Sequence, residues 1–163
     1  MTPRYRLLLV CVALVLAPLA WADAPDDTRD VAATLDRFHA AASAADGATY
    51  FSLFAPEGVF IGTDAGERWT VGEFRTFTAP YFSKGQGWTY VPRNRHVQLS
   101  PRGDVAWFDE ILDSQSYGVC RGSGVLRRVG AQWLICQYHL TIPVPNDMAK
   151  AVVKMIREDG KSK

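Results

Sequence analysis

The run Trp107-Phe108-Asp109-Glu110-Ile111-Leu112-Asp113 reads as a strand, and on a strand Trp107, Asp109, Ile111 and Asp113 share one face. A carboxyl held among apolar neighbours is pushed toward neutrality by desolvation. Such a group can abstract a proton beside a carbonyl or protonate a leaving group. His96 faces Asp109 in one of the two registers that the turn Pro101-Arg102-Gly103 allows, and a carboxylate there would fix its tautomer. In the other register it faces Phe108. Tyr138 can donate a hydrogen bond to a developing oxyanion. Asp109, His96 and Tyr138 are therefore the catalytic candidates. Each has a structural alternative: Asp109 accepting from Arg95 or His96 to lock register, His96 as a satisfied lone histidine, and Tyr138 filling the core.

Other chemistries find no support. Cys120 and Cys136 lie within strands with no positioned base to activate a thiolate. Turning the last hairpin at Gly130 sets Cys136 opposite Gly124 and Cys120 opposite Leu140, about four residues apart on the ladder, which is beyond disulfide reach. Two separate thiols are expected. His39, His96 and His139 are too scattered to converge on an ion, so neither a metal nor a cofactor is expected.

The chain has 163 residues, enough for one domain. Arg4 and Arg6, the apolar stretch from Leu7 to Leu19 and the small-x-small site Ala20-Trp21-Ala22 read as a signal peptide over residues 1–22, cleaved before Asp23. The stretch is short for a membrane span, which needs about 20 residues. A periplasmic or secreted protein over 23–163, without a membrane attachment after cleavage, is expected. Of the 18 basic and 17 acidic residues, the leader holds Arg4 and Arg6 and no acid, so 18 − 2 = 16 against 17 leaves a net charge of −1. That balance offers no basic field for nucleic acid.

Behind these residues, Val31, Leu35, Phe38 and Ala42 recur at helical spacing, and Asp46-Gly47 ends that helix. A short second helix is expected to bury Tyr50, Phe51 and Phe54, followed by a short strand from Val59 to Ile61. Thr70 and Glu73 form a capping box for a third helix, which should break near Ala79 because of Pro80. Four long antiparallel strands are then read at Trp88 to Leu99, Val105 to Gln115, Tyr117 to Arg128 and Gln132 to Ile142. A C-terminal helix over 146–158, capped by Asn146, presents Ala149, Val152, Val153 and Ile156.

Pairing about Ser116 and Gly130 is read as placing Trp107, Asp109, Ile111 and Asp113 on one face with Gly122, Gly124, Leu126, Leu134, Cys136, Tyr138 and Leu140. This face is assigned to a pocket, its glycines leaving volume beside the sheet. The expected ligand-binding residues are Trp107, Asp113, Gly124, Tyr50, Phe54, Asp64 and Trp69. Phe108, Val125, Trp133 and Ile135 fall on the opposite face, where an apolar patch rimmed by charge suggests a homodimer contact.

This order of elements, with the words Tyr50-Phe51-Ser52-Leu53-Phe54-Ala55-Pro56-Glu57, Gly62-Thr63-Asp64, Glu67-Arg68-Trp69, Ala106-Trp107-Phe108-Asp109-Glu110 and Arg121-Gly122-Ser123-Gly124-Val125-Leu126, resembles the nuclear transport factor 2-like cone fold. The resemblance covers roughly residues 28 to 146 and is to the bacterial secreted members of its SnoaL-like group. It implies an α+β fold: a strongly curved antiparallel sheet of four long strands and a short one, covered by N-terminal helices and followed by a C-terminal helix. By the same resemblance, Gly124 and Tyr138 fall near a pocket acid and a pocket aromatic of the superfamily's isomerases. Where those isomerases hold their general base, this chain reads Val59-Phe60-Ile61-Gly62 and has no carboxylate until Asp64. The expectation is an exported cone-fold protein that binds a small apolar or aromatic molecule. Alternatives are a cofactor-independent isomerase, dehydratase or hydrolase using a buried Asp, or a non-catalytic interaction subunit.

Overall fold

The computed structural model describes residues 27–159, so the leader read at 1–22 lies outside the described residues. The first helix, α1, spans Asp27–Ser43, and its predicted face is buried at Val31, Leu35, Phe38 and Ala42. Then come α2 (Gly47–Ser52), β1 (Phe54–Ile61), β2 (Arg68–Thr70) and α3 (Val71–Phe82). The rest is β3 (Val91–Leu99), β4 (Val105–Ser114), β5 (Gly118–Val129), β6 (Gln132–Thr141) and α4 (Ala149–Asp159).

The sheet runs β2-β1-β6-β5-β4-β3, with β1 parallel to β6 and every other pair antiparallel. This is the α+β architecture expected, a curved sheet left open, but with six strands. The first strand starts at Phe54 rather than Val59, because Phe54 already pairs with Ile135. The predicted capping box at Thr70 and Glu73 is present. Helix α3 continues through Pro80 without the predicted break. Proline removes one donor near the helix end, and bonding resumes where Ser83 N donates to Ala79 O at 3.0 Å. The predicted C-terminal helix starts at Ala149, three residues past Asn146, and buries none of its residues.

Sheet parity corrects the face assignment. Residues directly opposite one another on paired strands share a face, and the ladder sets Phe108 against Gly124 and Glu110 against Gly122. The two glycines therefore accompany Phe108 and Glu110, not Asp109. Ala106, Phe108, Glu110 and Leu112 are buried beneath the helices, whereas Trp107, Asp109 and Asp113 are exposed. On β6, Trp133 and Ile135 are core residues, and so are Tyr138 and Leu140. An extra residue makes both possible: the register shifts between Val125↔Gln137 and Leu126↔Ile135, leaving Cys136 without a partner. Three of the four residues read as a dimer contact, Phe108, Trp133 and Ile135, are therefore core; only Val125 lies on the outer face.

A second bulge lies on β3. Arg93 pairs with Ile111 and His96 with Asp109, so Asn94 and Arg95 together face Glu110. Asn94 adopts φ 49°, a left-handed conformation that asparagine tolerates better than most residues. The bulge turns Arg95 inward although Arg93, two residues earlier, pairs with Asp113 on the exposed side.

Candidate functional site

Beneath the helices the sheet presents one carboxylate, that of Glu110, with no solvent exposure. Its Oε1 lies 2.6 Å from His39 Nε2 and accepts from the Tyr138 hydroxyl at 3.4 Å, while its Oε2 accepts from Arg95 Nε at 2.7 Å. Arg95 also donates through one terminal nitrogen to Asp36 Oδ1 at 2.7 Å and to the Ala32 carbonyl at 3.0 Å. The network thus joins α1, β3, β4 and β6. Gly122 makes room for it: a Cβ there would stand 2.4 Å from the Tyr138 hydroxyl oxygen and 3.1 Å from Glu110 Oε1.

Electrostatics fixes the roles. Burial pushes the Glu110 carboxyl up, but the His39 bond and the Arg95 charge outweigh it, holding it below the ordinary carboxylate value and ionised. An ionised carboxylate only accepts, so His39 Nε2 is the donor in this contact and the carboxylate fixes which ring nitrogen faces it. Desolvation, reinforced by the Glu110 charge, raises the Tyr138 phenol far above its usual range, so it stays a neutral donor.

His39 and Tyr138 line a small inner cavity of about 10 Å³ together with Phe38, Tyr50, Phe60, Trp88, Tyr90 and Leu140. That space suits a single water-sized group. The hydroxyl of Tyr50, another buried neutral phenol, completes no hydrogen bond of good geometry among the described residues, although the Trp88 indole lies near enough to act on it. Phe60, Trp88, Tyr90 and Leu140 also wall an outer cleft of about 220 Å³, which Trp69, Phe74, Phe77, Tyr117 and Glu67 complete. Trp88 and Tyr90 line both spaces from a segment, residues 83–90, that belongs to neither α3 nor β3. Burial raises the Tyr90 phenol to about 12, with Cys120 and Tyr117 adding to the effect. A larger groove of about 350 Å³ between α1 and the β5–β6 hairpin, lined by Asp30, Arg37, Ser52 and Gln132, shares no residue with this network.

The residues singled out from sequence separate accordingly. Tyr138 and Tyr50 reach the inner cavity, and Trp69 lines the cleft. Phe54 packs against Phe38 and Tyr50 in the core. Asp64 holds the lip loop by accepting from Gly66 N at 2.8 Å. Gly124 is interior but leaves no hollow, since a Cβ there would meet the Gln137 carbonyl at 2.1 Å and the Phe108 ring at 2.9 Å. Asp109 and His96 do face each other across β3 and β4, yet both are exposed on the outer face, so neither touches the cavity. Trp107, 44% exposed, donates to Gln98 Oε1 at 2.6 Å, and Asp113 pairs with Arg93 at 2.9 Å. The two cysteines are free, Cys120 buried and Cys136 half-buried. Among the described residues no cluster of His, Cys, Asp and Glu could hold a metal ion.

The sequence reading missed Glu110, His39 and Arg95. His39 adjoins Phe38 at the edge of the apolar face of α1, and correct pairing about Ser116 would have placed Glu110 with the glycines. Arg95 needed the bulge, whose one signal is an asparagine inside an otherwise regular strand.

A model of the SnoaL-like domain matches residues 31–145, which include most of α1, the network and the whole sheet. The chain belongs to the SnoaL-like family. No curated protein matches it. Among solved structures, this SnoaL-like chain is similar to a Pectobacterium atrosepticum protein of unknown function, with 22% identity, TM-score 0.61 and coverage of 74% of this chain and 94% of that one. A Streptomyces avermitilis protein of the NTF2-like family, provisionally described as a dehydratase, gives 19% identity, TM-score 0.60 and coverage of 73% and 97%. A Novosphingobium aromaticivorans protein provisionally described as an aromatic ring hydroxylase gives 17%, 0.59, and coverage of 73% and 90%. At these identities the likeness is one of fold.

Proposed function

We propose that this SnoaL-like protein admits a small apolar or aromatic molecule through the ring-lined cleft and transfers a proton at its inner end. His39 is the acid–base group, oriented by Glu110, with Tyr138 and Tyr50 as neutral donors to oxygen. The observation that carries this reading is the 2.6 Å contact between His39 and a fully buried, ionised Glu110 at a cavity wall. A carboxylate behind a histidine fixes the tautomer and stabilises the imidazolium formed when the ring takes a proton. Proton abstraction beside a carbonyl needs this base and a hydrogen-bond donor to the oxygen, and elimination of water adds return of the abstracted proton from the imidazolium to the departing hydroxyl.

Incubating the protein in deuterium oxide with a panel of cyclic and aryl ketones, and following α-proton signals by NMR, tests this reading. Wild type should exchange at least one ketone, and His39→Gln should lose exchange while still binding it; equal exchange by both proteins would refute His39 as the base.

A second reading, binding without turnover, is favoured by the inner cavity, whose size of about 10 Å³ leaves no room for a reacting carbon unless Trp88 and Tyr90 move. Saturable binding with no exchange across the panel would select it. Export rests on the pattern of residues 1–22, and a mature N-terminus other than Asp23 would count against the cleavage site. Self-association through the outer sheet face rests on exposed Trp107 and Val119. A monomer by light scattering at micromolar concentration would remove it.

A further inference from the structure

We infer that the cleft selects organic cations: molecules carrying a quaternary or protonated amine on an apolar body, in preference to neutral isosteres and against anions. The inference deepens the proposed function and rests on the cleft being where the ligand enters. Seven aromatic side chains line this space alongside Leu140, Thr63 and Gly62, and one of them, Phe60, also lines the inner cavity. Its charge is one-sided. Glu67 supplies the sole carboxylate among the described residues that line it, and none of those residues is a lysine, arginine or histidine.

Glu67 is held in place. Its Oε2 accepts from the Asp64 amide at 3.1 Å, and its own amide donates to the Asp64 carbonyl at 3.0 Å, closing the lip loop on itself. The loop folds the carboxylate over Gly62, where a Cβ would overlap Glu67 Oε2 at 2.2 Å, so glycine at that position gives the acid its space. Among the described residues no ion pair neutralises it, and the neighbouring Arg68 makes none with it.

The rings divide into two kinds. Phe60, Phe74, Trp69 and Phe77 stack in a near-parallel series, with neighbouring centroids at 4.0, 5.4 and 4.9 Å. Tyr90 and Tyr117 have no ring–ring contact among the described residues, and their faces are not taken up by other rings. A cation beside such faces is drawn by their negative π density, and a nearby carboxylate adds a full charge. An anion would meet that same charge with no donor cation to offset it, and partial exclusion of water strengthens both effects.

The test uses three phenols of similar size: 4-(trimethylammonio)phenol, its neutral isostere 4-tert-butylphenol, and 4-hydroxybenzenesulfonate. Binding to the full mature protein is measured by calorimetry and by quenching of tryptophan fluorescence. The cation should bind about tenfold more tightly than the tert-butyl compound, and the sulfonate should bind more weakly than either. Glu67→Gln keeps an oxygen for the Asp64 amide, so it should reduce the preference to about threefold or less while leaving 4-tert-butylphenol unchanged. Equal affinities for cation and isostere, or a preference that survives Glu67→Gln, would overturn the inference while leaving the cleft as a binding site. Binding by none of the three would remove the cleft reading as well.

Discussion

Replacing Glu110 by glutamine tests the buried network most directly. The shape of the side chain is conserved, but its charge and two of its acceptor roles are not. Glu110 accepts from His39, Arg95 and Tyr138, and it is completely buried. A glutamine oxygen can still serve Arg95, but its amide then points two hydrogens at His39 and Tyr138. His39 can adapt by moving its proton to Nδ1. Arg95, whose side chain is 13% exposed, cannot shed its charge and keeps Asp36, which lies largely in solvent, as its one remaining charged partner among the described residues. Removing one partner of a buried ion pair typically destabilises by about 3 to 5 kcal/mol. The retained Arg95 bond and the histidine's adaptation place the expectation near the lower figure, a fall of about 10 °C in Tm for a domain of this size.

The pH dependence supplies a second signature. The folded carboxyl is held below its ordinary value of 4.5, so the unfolded state binds the proton more tightly. Glu110 therefore contributes stability that is complete above pH 4.5 and is lost as pH falls through the lowered folded value. Urea unfolding of wild type and Glu110→Gln at pH 7 and at steps down to pH 3 should show the largest difference at neutral pH and convergence on acidification, with the m-value unchanged. A variant within 0.5 kcal/mol of wild type at pH 7, or a gap that widens in acid, would refute the account.

Further expectations follow from the packing. Gly124→Ala should destabilise by about 2 kcal/mol or more in urea unfolding, because its Cβ would stand 2.1 Å from the backbone oxygen of Gln137, which cannot step aside as a flexible side chain can. Asp109→Asn should change stability by less than about 0.5 kcal/mol and leave ligand binding intact, since the residue is exposed on the outer face; loss of binding would contradict the strand parity. Trp133→Glu should abolish folding, judged by circular dichroism, rather than yield a soluble monomer, because this 4%-exposed ring lies in the core. Thr70→Ala should cost about 1 kcal/mol through loss of the capping box that opens α3, read from the shift in urea midpoint.

Much of this molecule is local in origin. The period of Val31, Leu35, Phe38 and Ala42, the Thr70 and Glu73 box and the hairpin glycine at 130 each act within a few residues, and a chain that carries them has few ways to fold. The helices, the succession of strands and the family likeness follow from such signals. The side of the sheet on which Asp109, Glu110, Arg95 and Tyr138 fall does not. Strand parity has a period of two, so pairing the odd positions of β4 with the even positions of β5 exchanges inside and outside along the strand.

Even with that pairing right, the two bulges would have stayed hidden. Inserting Asn94 on β3 and Cys136 on β6 shifts parity partway along each strand, bringing Arg95 and Tyr138 to Glu110. A bulge is favoured when the burial and pairing it permits outweigh the ladder bonds it interrupts, and those gains come from α1 and from strands distant in sequence. Composition and spacing thus determined the architecture and the presence of an aromatic interior. Which acid is buried, and which histidine meets it, was decided by long-range packing that joins residues 39, 95, 110 and 138.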